Sequence, residues 1–262
     1  VAPIASINKD TVKLTLSERV KREQESYESG LQRQSYDNIL SHCQVFWHDE
    51  VLRQFRQALT QEGVRDVLEL GSHGWAMVYD EATPLPANLN CINISETELE
   101  LGRSQADARQ AAIDFHIMDA HELTFPNNSF DVVFGFGILH HLDYERALDE
   151  IKRVLRPGGR MIFNEPLDIN PVGAIVRMAT PNARTRDEAP LKIKHLKMFS
   201  DRFQVCYRPH QFLSVPAGVI SKLAFKKPAN ALMRTAFEAD RILARMPGLK
   251  FWFRKLVIDG VK

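Results

Sequence analysis

Two adjacent histidines, His140 and His141, stand in Leu139-His140-His141-Leu142 and offer imidazole, the side chain best suited to take a proton near neutral pH. Glu165, in Asn164-Glu165-Pro166 at the end of an apolar run, adds a carboxylate as a further catalytic or substrate-side candidate. Gly71-Ser72-His73-Gly74 follows the apolar run Val67-Leu68-Glu69-Leu70 and suggests a different chemistry. Glycines after a buried strand let the backbone approach a ligand, and a helix N-terminus behind them supplies unpaired N–H groups. Asn93 follows Gly71 by 22 residues, the span of one strand-helix-strand unit, where a polar side chain can reach ribose hydroxyls. The proline-bounded segment 180–191 mixes charges, and Arg184, Asp187 and Glu188 in it are candidate substrate contacts.

These residues need a scaffold, and the hydrophobic pattern supplies one. Between residues 66 and 166 short apolar runs (67–70, 89–94, 115–117, 130–137, 160–166) alternate with helical segments over 95–112 and 144–155, the rhythm of a parallel α/β sheet. Continuous runs such as Val132-Val133-Phe134 suit strands covered on both faces. Residues 16–60 place apolar side chains three and four apart and read as two or three amphipathic helices. Past Pro166 the pattern predicts a short helix over 170–178, a charged loop over 183–191, a helix over 191–199, a strand over 202–207 and a closing strand over 251–261. Residues 210–247, longer than a hairpin needs, are expected to form helices capping the substrate side. The division is therefore one domain, with a helical cap (1–60), a ligand-binding core (61–166) and a lid with closing strands (167–262).

Composition narrows the function. With 262 residues, 44% hydrophobic and 26% charged, the chain is long enough for one large globular core, and a net charge of +1 gives no general reason to expect nucleic acid. Cys43, Cys91 and Cys206 are odd in number and widely spaced, so neither a disulfide framework nor a metal cluster is indicated, and a reducing, cytoplasmic setting is expected. No signal peptide and no spanning helix is read from the sequence. Residues 222–255 are locally basic, with Lys222, Lys226, Lys227 and six further cations against Glu238 and Asp240. Such a stretch can hold an anionic substrate or rest on an acidic membrane, but the expectation is a solvated helical face with its aromatics in the core.

The order and wording of residues 66–166 resemble the class I S-adenosylmethionine-dependent methyltransferases. The resemblance implies a doubly wound, mostly parallel seven-stranded sheet of Rossmann-like type, with N-terminal helices and a helical lid insertion. S-adenosylmethionine would lie across the carboxyl ends of the first four strands, against Glu69, Gly71, Ser72 and Gly74 in the first turn. Asn93 and Ile94 would follow the second strand, Asp119, Ala120 and His121 the third, with Asp119 accepting from the adenine amino group, and Gly135 and Phe136 would pass the methionine part. Two departures stand out: His73 and Trp75 occupy positions where the family carries glycines, and Asn93 replaces a carboxylate. The implied activity is methyl transfer to a small-molecule acceptor, O-methylation in a biosynthetic pathway being the first choice, with His140, His141 or Glu165 as base. Two alternatives remain open: a non-methylating or partner protein that keeps the fold, and a methyltransferase for a lipid-linked acceptor at a membrane surface.

Overall fold

Five strands make the parallel part of one sheet: β1 (Asp66–Leu70), β2 (Asn88–Asn93), β3 (Asp114–Ile117), β4 (Phe130–Phe136) and β5 (Leu155–Pro166). β7 (Lys255–Val261) runs antiparallel between β5 and β6 (Gln204–His210). The order β3-β2-β1-β4-β5-β7-β6 gives the seven-stranded, mostly parallel sheet expected, and the strand order reverses between β1 and β4. The computed structural model describes residues 16–28, 40–168, 189–246 and 248–262. The helix expected over 170–178 and most of the charged loop, including Arg184, Asp187 and Glu188, lie outside the described residues.

Strand alternation divides the core in two. Val67, Val132, Phe134, Ile162 and Val257 pack with Phe55 and Leu59 of α2 (Val45–Leu59) on one face. Leu68, Leu70, Val133, Met161, Phe163 and Ile258 meet Leu148, Ile151 and Val154 of α5 (Tyr144–Val154) on the other. The connecting helices α3 (Trp75–Val78) and α4 (Glu96–Ala108) follow β1 and β2. Ser95 and Asp143 cap α4 and α5, their side chains accepting from the Glu98 and Arg146 amides, so each helix begins at a defined residue past its strand. Asp131 accepts from the Arg65 and Asp66 amides and pairs with Arg156, which fixes the start of β1 against β4.

The other helices are α1 (Leu16–Glu28), α6 (Ile193–Ser200), α7 (Ser214–Ala224) and α8 (Ala231–Leu243). α7 and α8 fill the segment expected to be helical after β6 and share a small core with Leu40 and Cys43. Fully buried Asp240 of α8 accepts from the Phe212, Leu213 and Ser214 amides and from Ser214 Oγ, capping α7 from a neighbouring helix. The expectation that the C-terminal aromatics are core holds for Phe253 but not for Phe225 and Trp252, which are 45% and 47% exposed.

Candidate active site

A cleft of about 200 Å³ opens at the carboxyl ends of β1, β2 and β4, at the point where the strand order reverses. Its floor is the turn after β1. Gly71 has φ +121°, a conformation that a side chain would strain, and a Cβ on Gly74 would stand 2.6 Å from the Phe136 ring. Buried Glu69 holds this turn, Oε1 accepting from the Gly74 amide (2.6 Å) and Oε2 from Trp75 N (3.1 Å) and Cys91 Sγ (3.3 Å). Burial pushes the Glu69 carboxyl up, and these donors oppose that only in part. Glu69 thus shapes the turn with oxygens already engaged, rather than offering a free carboxylate to a ligand. The two departures from the glycine pattern are accommodated locally. His73 turns to Glu98 of α4 (2.6 Å), and Trp75 drops into the core beneath α2.

The second and third strands bring polar groups to the same cleft. Asn93 donates from Nδ2 to Ser72 Oγ (3.1 Å) and accepts at Oδ1 from the Ser95 amide (3.1 Å), while Ser72 Oγ donates to Glu98 O (3.0 Å). The neutral amide at position 93 suits its neighbours: while Ser72 Oγ donates to Glu98 O, it needs a donor from residue 93, which an aspartate lacks. Ser72, expected as a cofactor contact, lines the cleft but has its hydroxyl spent inside the loop. Asp119 accepts at Oδ1 from both the His121 amide (2.9 Å) and His121 Nδ1 (2.6 Å). His121 Nε2 accepts from the Asp143 amide, so the ring carries its proton on Nδ1 and ties the loop after β3 to the start of α5. Asp119 lines the cleft, and its Oδ2 takes neither of the His121 bonds. Burial works to raise the Asp119 carboxyl, but the His121 bonds outweigh it and hold it below the usual carboxylate value. Ile94, Ala120 and Phe136 also line the cleft.

The expected bases separate. Glu165 is fully buried behind the turn Leu139–His141; Oε1 accepts from the Ile138 and Leu139 amides (3.0 and 2.9 Å), and Oε2 accepts from His140 Nδ1 (2.8 Å). Glu165 and His140 thus build the turn, and neither lines the cleft. As placed, neither faces the cleft as the expected base would, since alternation along β5 turns Glu165 to the face opposite Asn164. His141 does line the cleft, with Nδ1 bonded to Glu23 Oε1 of α1 (2.5 Å). Gly135 is also not a lining residue. A Cβ there would meet the Ile138 side chain at 2.8 Å and Leu70 O of β1 and the Phe163 ring of β5 at 2.9 Å. Sequence reasoning missed Val20 and Glu23 of α1, which close the cleft from above, and Met118 and Glu98 in its wall. Among the described residues no three His, Cys, Asp or Glu side chains are grouped to hold a metal, and no helix is long and apolar enough to cross a membrane.

Residues 68–163 match the family model described as a methyltransferase domain. A demethylmenaquinone methyltransferase of Listeria welshimeri is 33% identical over 135 residues, 48% of this chain and 56% of that protein. Its counterpart of the same name in Thermus thermophilus is 36% identical over 99 residues, 37% of this chain and 44% of that protein. The chain spans about half the length of the curated relatives it matches. Among solved structures, the N-methyltransferase NodS of Bradyrhizobium japonicum, in complex with S-adenosyl-L-homocysteine, superposes with a TM-score of 0.57 at 14% identity, covering 92% of this chain and 98% of that one. Geranyl diphosphate methyltransferase gives 0.56 at 14% identity, over 81% and 77%. At such identities the likeness is one of fold.

Proposed function

We propose that the chain, whose residues 68–163 match a methyltransferase domain, is a class I S-adenosylmethionine-dependent methyltransferase that methylates a small-molecule acceptor. The observation that carries the proposal is the cleft itself: a glycine turn with no room for a Cβ at Gly74, beside Asp119 with one carboxylate oxygen open to an amino group. The group fits this chain's residues. Glu98, Asp119 and Glu23 give the cleft an acidic lining, which suits a ligand bearing a sulfonium and an ammonium. Asp119 would accept from the adenine amino group, Asn93 would meet the ribose, and Gly71 to Gly74 would pass the methionine portion. When bound, S-adenosylmethionine supplies a methyl group on a sulfonium, whose departure as a neutral thioether needs no acid from the protein.

The chain's own work is then to align the acceptor and exclude water, and alignment can contribute roughly 7–11 kcal/mol. His140 and Glu165 fix the turn after β4 beside the cleft, and His141 with Glu23 ties α1 to it. O-methylation is the first reading. The curated relatives are named for a quinone acceptor, so hydroxyaromatic and quinol rings belong in the test. The test is incubation with methyl-labelled S-adenosylmethionine and a panel of such compounds. Label should appear in a small-molecule product. Cofactor binding with no transfer to any acceptor would favour the non-methylating alternative.

One observation favours a lipid-linked acceptor as the second reading. Ile220, Leu223 and Phe225 are 56%, 85% and 45% exposed at the end of α7, beside Lys222, Lys226 and Lys227. Apolar side chains ringed by lysines suit an acidic membrane surface.

A further inference from the structure

A second cavity of about 200 Å³ lies across Phe136, Gly137 and Met77 from the cofactor cleft, and these three residues line both. Its wall also takes in Gln44 at the start of α2, Trp47 and His48 on that helix, Asn164 on β5, His210 and Gln211 at the end of β6, and Lys255 at the start of β7. Register explains the grouping. His210 pairs with Lys255 and Asn164 with Val257, which places all three polar side chains on the sheet face below α2, opposite to Glu165. His210 is 3% exposed, donates from Nε2 to Asn164 Oδ1 (2.9 Å) and lies against the Trp47 ring at 5.1 Å. That bond fixes the tautomer, so Nδ1 is a bare acceptor, and it is buried with no partner. Burial, then Lys255 and Arg254, hold the His210 imidazole well below its usual value, which keeps it neutral.

Lys255 is the second anomaly. Among the described residues its ammonium has no hydrogen-bond or ion-pair partner, whereas neighbouring Arg254 reaches Gln211 Oε1 at 2.6 Å. Desolvation, aided by Arg254 and opposed by Cys43 and Glu165, pushes Lys255 down to about 8. A cation held in a cavity without a counter-ion is costly unless something else supplies the negative charge. A volume near 200 Å³ is enough to admit an aromatic ring, since apolar cavities of about 150 Å³ admit benzene.

We infer that this cavity is the acceptor pocket and takes a hydroxyaromatic acceptor as its phenolate or enolate, with Lys255 as counter-ion and His210 Nδ1 accepting from a second hydroxyl or N–H of the ring. The inference rests on the methyltransferase reading and names its substrate class. The acceptor's proton leaves to solvent on binding, so no base is required in the cleft, which accords with His140 and Glu165 being built into the turn. A phenolate carries its charge on oxygen and on the ortho and para ring carbons, and the same pocket therefore serves transfer to oxygen or to an ortho carbon.

The experiment uses 4-nitrophenol, whose ionised and neutral forms absorb differently, and 4-nitroanisole, its uncharged methyl ether, on the full chain saturated with S-adenosyl-L-homocysteine. The wild type should bind nitrophenol saturably, shift it toward the ionised form, and prefer it over the anisole by about tenfold or more. Lys255→Met should lose the spectral shift and bind nitrophenolate roughly ten- to a hundredfold more weakly, while Lys255→Arg retains the shift. Equal binding of phenol and ether by the wild type, which needs no variant to fold, would overturn the inference. So would no binding of nitrophenol, or an undiminished shift in Lys255→Met. S-adenosyl-L-homocysteine binding on the same sample separates the two levels: if it binds and the probe fails, only the acceptor class falls. If it does not bind, the methyltransferase reading falls.

Discussion

Replacing Asp119 by asparagine changes one oxygen and leaves the shape of the cleft unaltered. In the wild type Oδ1 accepts both bonds from His121, and Oδ2 is the atom left for an adenine amino group. His121 offers two donors, so in the variant the new amide oxygen must take the Oδ1 position and its NH₂ must occupy that of Oδ2. A donor would then face a donor. A hydrogen bond to a charged group contributes about 1.5–3 kcal/mol. The Asp119 side chain is 33% exposed, which places the expected loss in the lower part of that range, about 1.5–2 kcal/mol or roughly ten- to thirtyfold in affinity. Calorimetric titration of S-adenosyl-L-homocysteine into wild type and Asp119→Asn measures it, with thermal unfolding as the control, because His121 keeps its acceptor and stability should change by less than about 1 kcal/mol. Unchanged affinity in a folded variant would refute the adenine assignment. A large loss of stability would show that the His121 bonds, rather than the open oxygen, account for the effect.

Glu23→Ala removes the carboxylate that His141 holds at 2.5 Å, so amides of α1 should exchange with solvent about tenfold faster while those of β4 and β5 are unaffected; unchanged protection in α1 would show that the pair does not anchor the helix. Asp259 accepts two bonds from Arg160 (2.6 Å each) and one from Arg208 (2.7 Å); burial raises its carboxyl, but these arginines bring it below the usual value. Its contribution is complete above the unfolded value of about 3.9 and is lost as pH falls through the lower folded one. Urea unfolding of Asp259→Asn should therefore show a loss of about 1–3 kcal/mol at pH 7 that shrinks in acid, and an equal midpoint at pH 7 would remove the pair from the stability account. If the lysine-flanked end of α7 meets membranes, the wild type should co-sediment with anionic vesicles at low salt and Leu223→Asp should not; absence of wild-type sedimentation ends the lipid-linked reading.

β4 was legible because Val132-Val133-Phe134 is a continuous apolar run, the imprint of a strand covered on both faces, whereas β1, β2 and β3 mix polar with apolar residues and were placed by their spacing. β6 was placed at 202–207 but spans Gln204–His210, through Pro209, which the edge of a sheet tolerates because no neighbour there needs its missing N–H. Gly71, Asp119 and Asn93 could be located by their distance from strand ends. What Asn93 and Glu69 bond to could not, since those partners come from α4 and from the turn itself. The direction of Glu165 was hidden for a related reason: a strand-end carboxylate can point to either face, and only the bonds to Ile138, Leu139 and His140 show which. The pairing of His210 with Lys255 joins residues 45 apart through β6–β7 register, and α2 covers them from the far end of the chain. No local pattern carries that information.

Amide hydrogen exchange of the full chain with and without S-adenosyl-L-homocysteine tests the central claim most directly, because it reports binding and place together. Protection should rise in the turn after β1, around Gly71 to Gly74, in residues 119–121, and in α1 where Val20 and Glu23 close the cleft. No change at saturating ligand, or protection confined to other parts of the sheet, would contradict the assignment of this cleft to the cofactor.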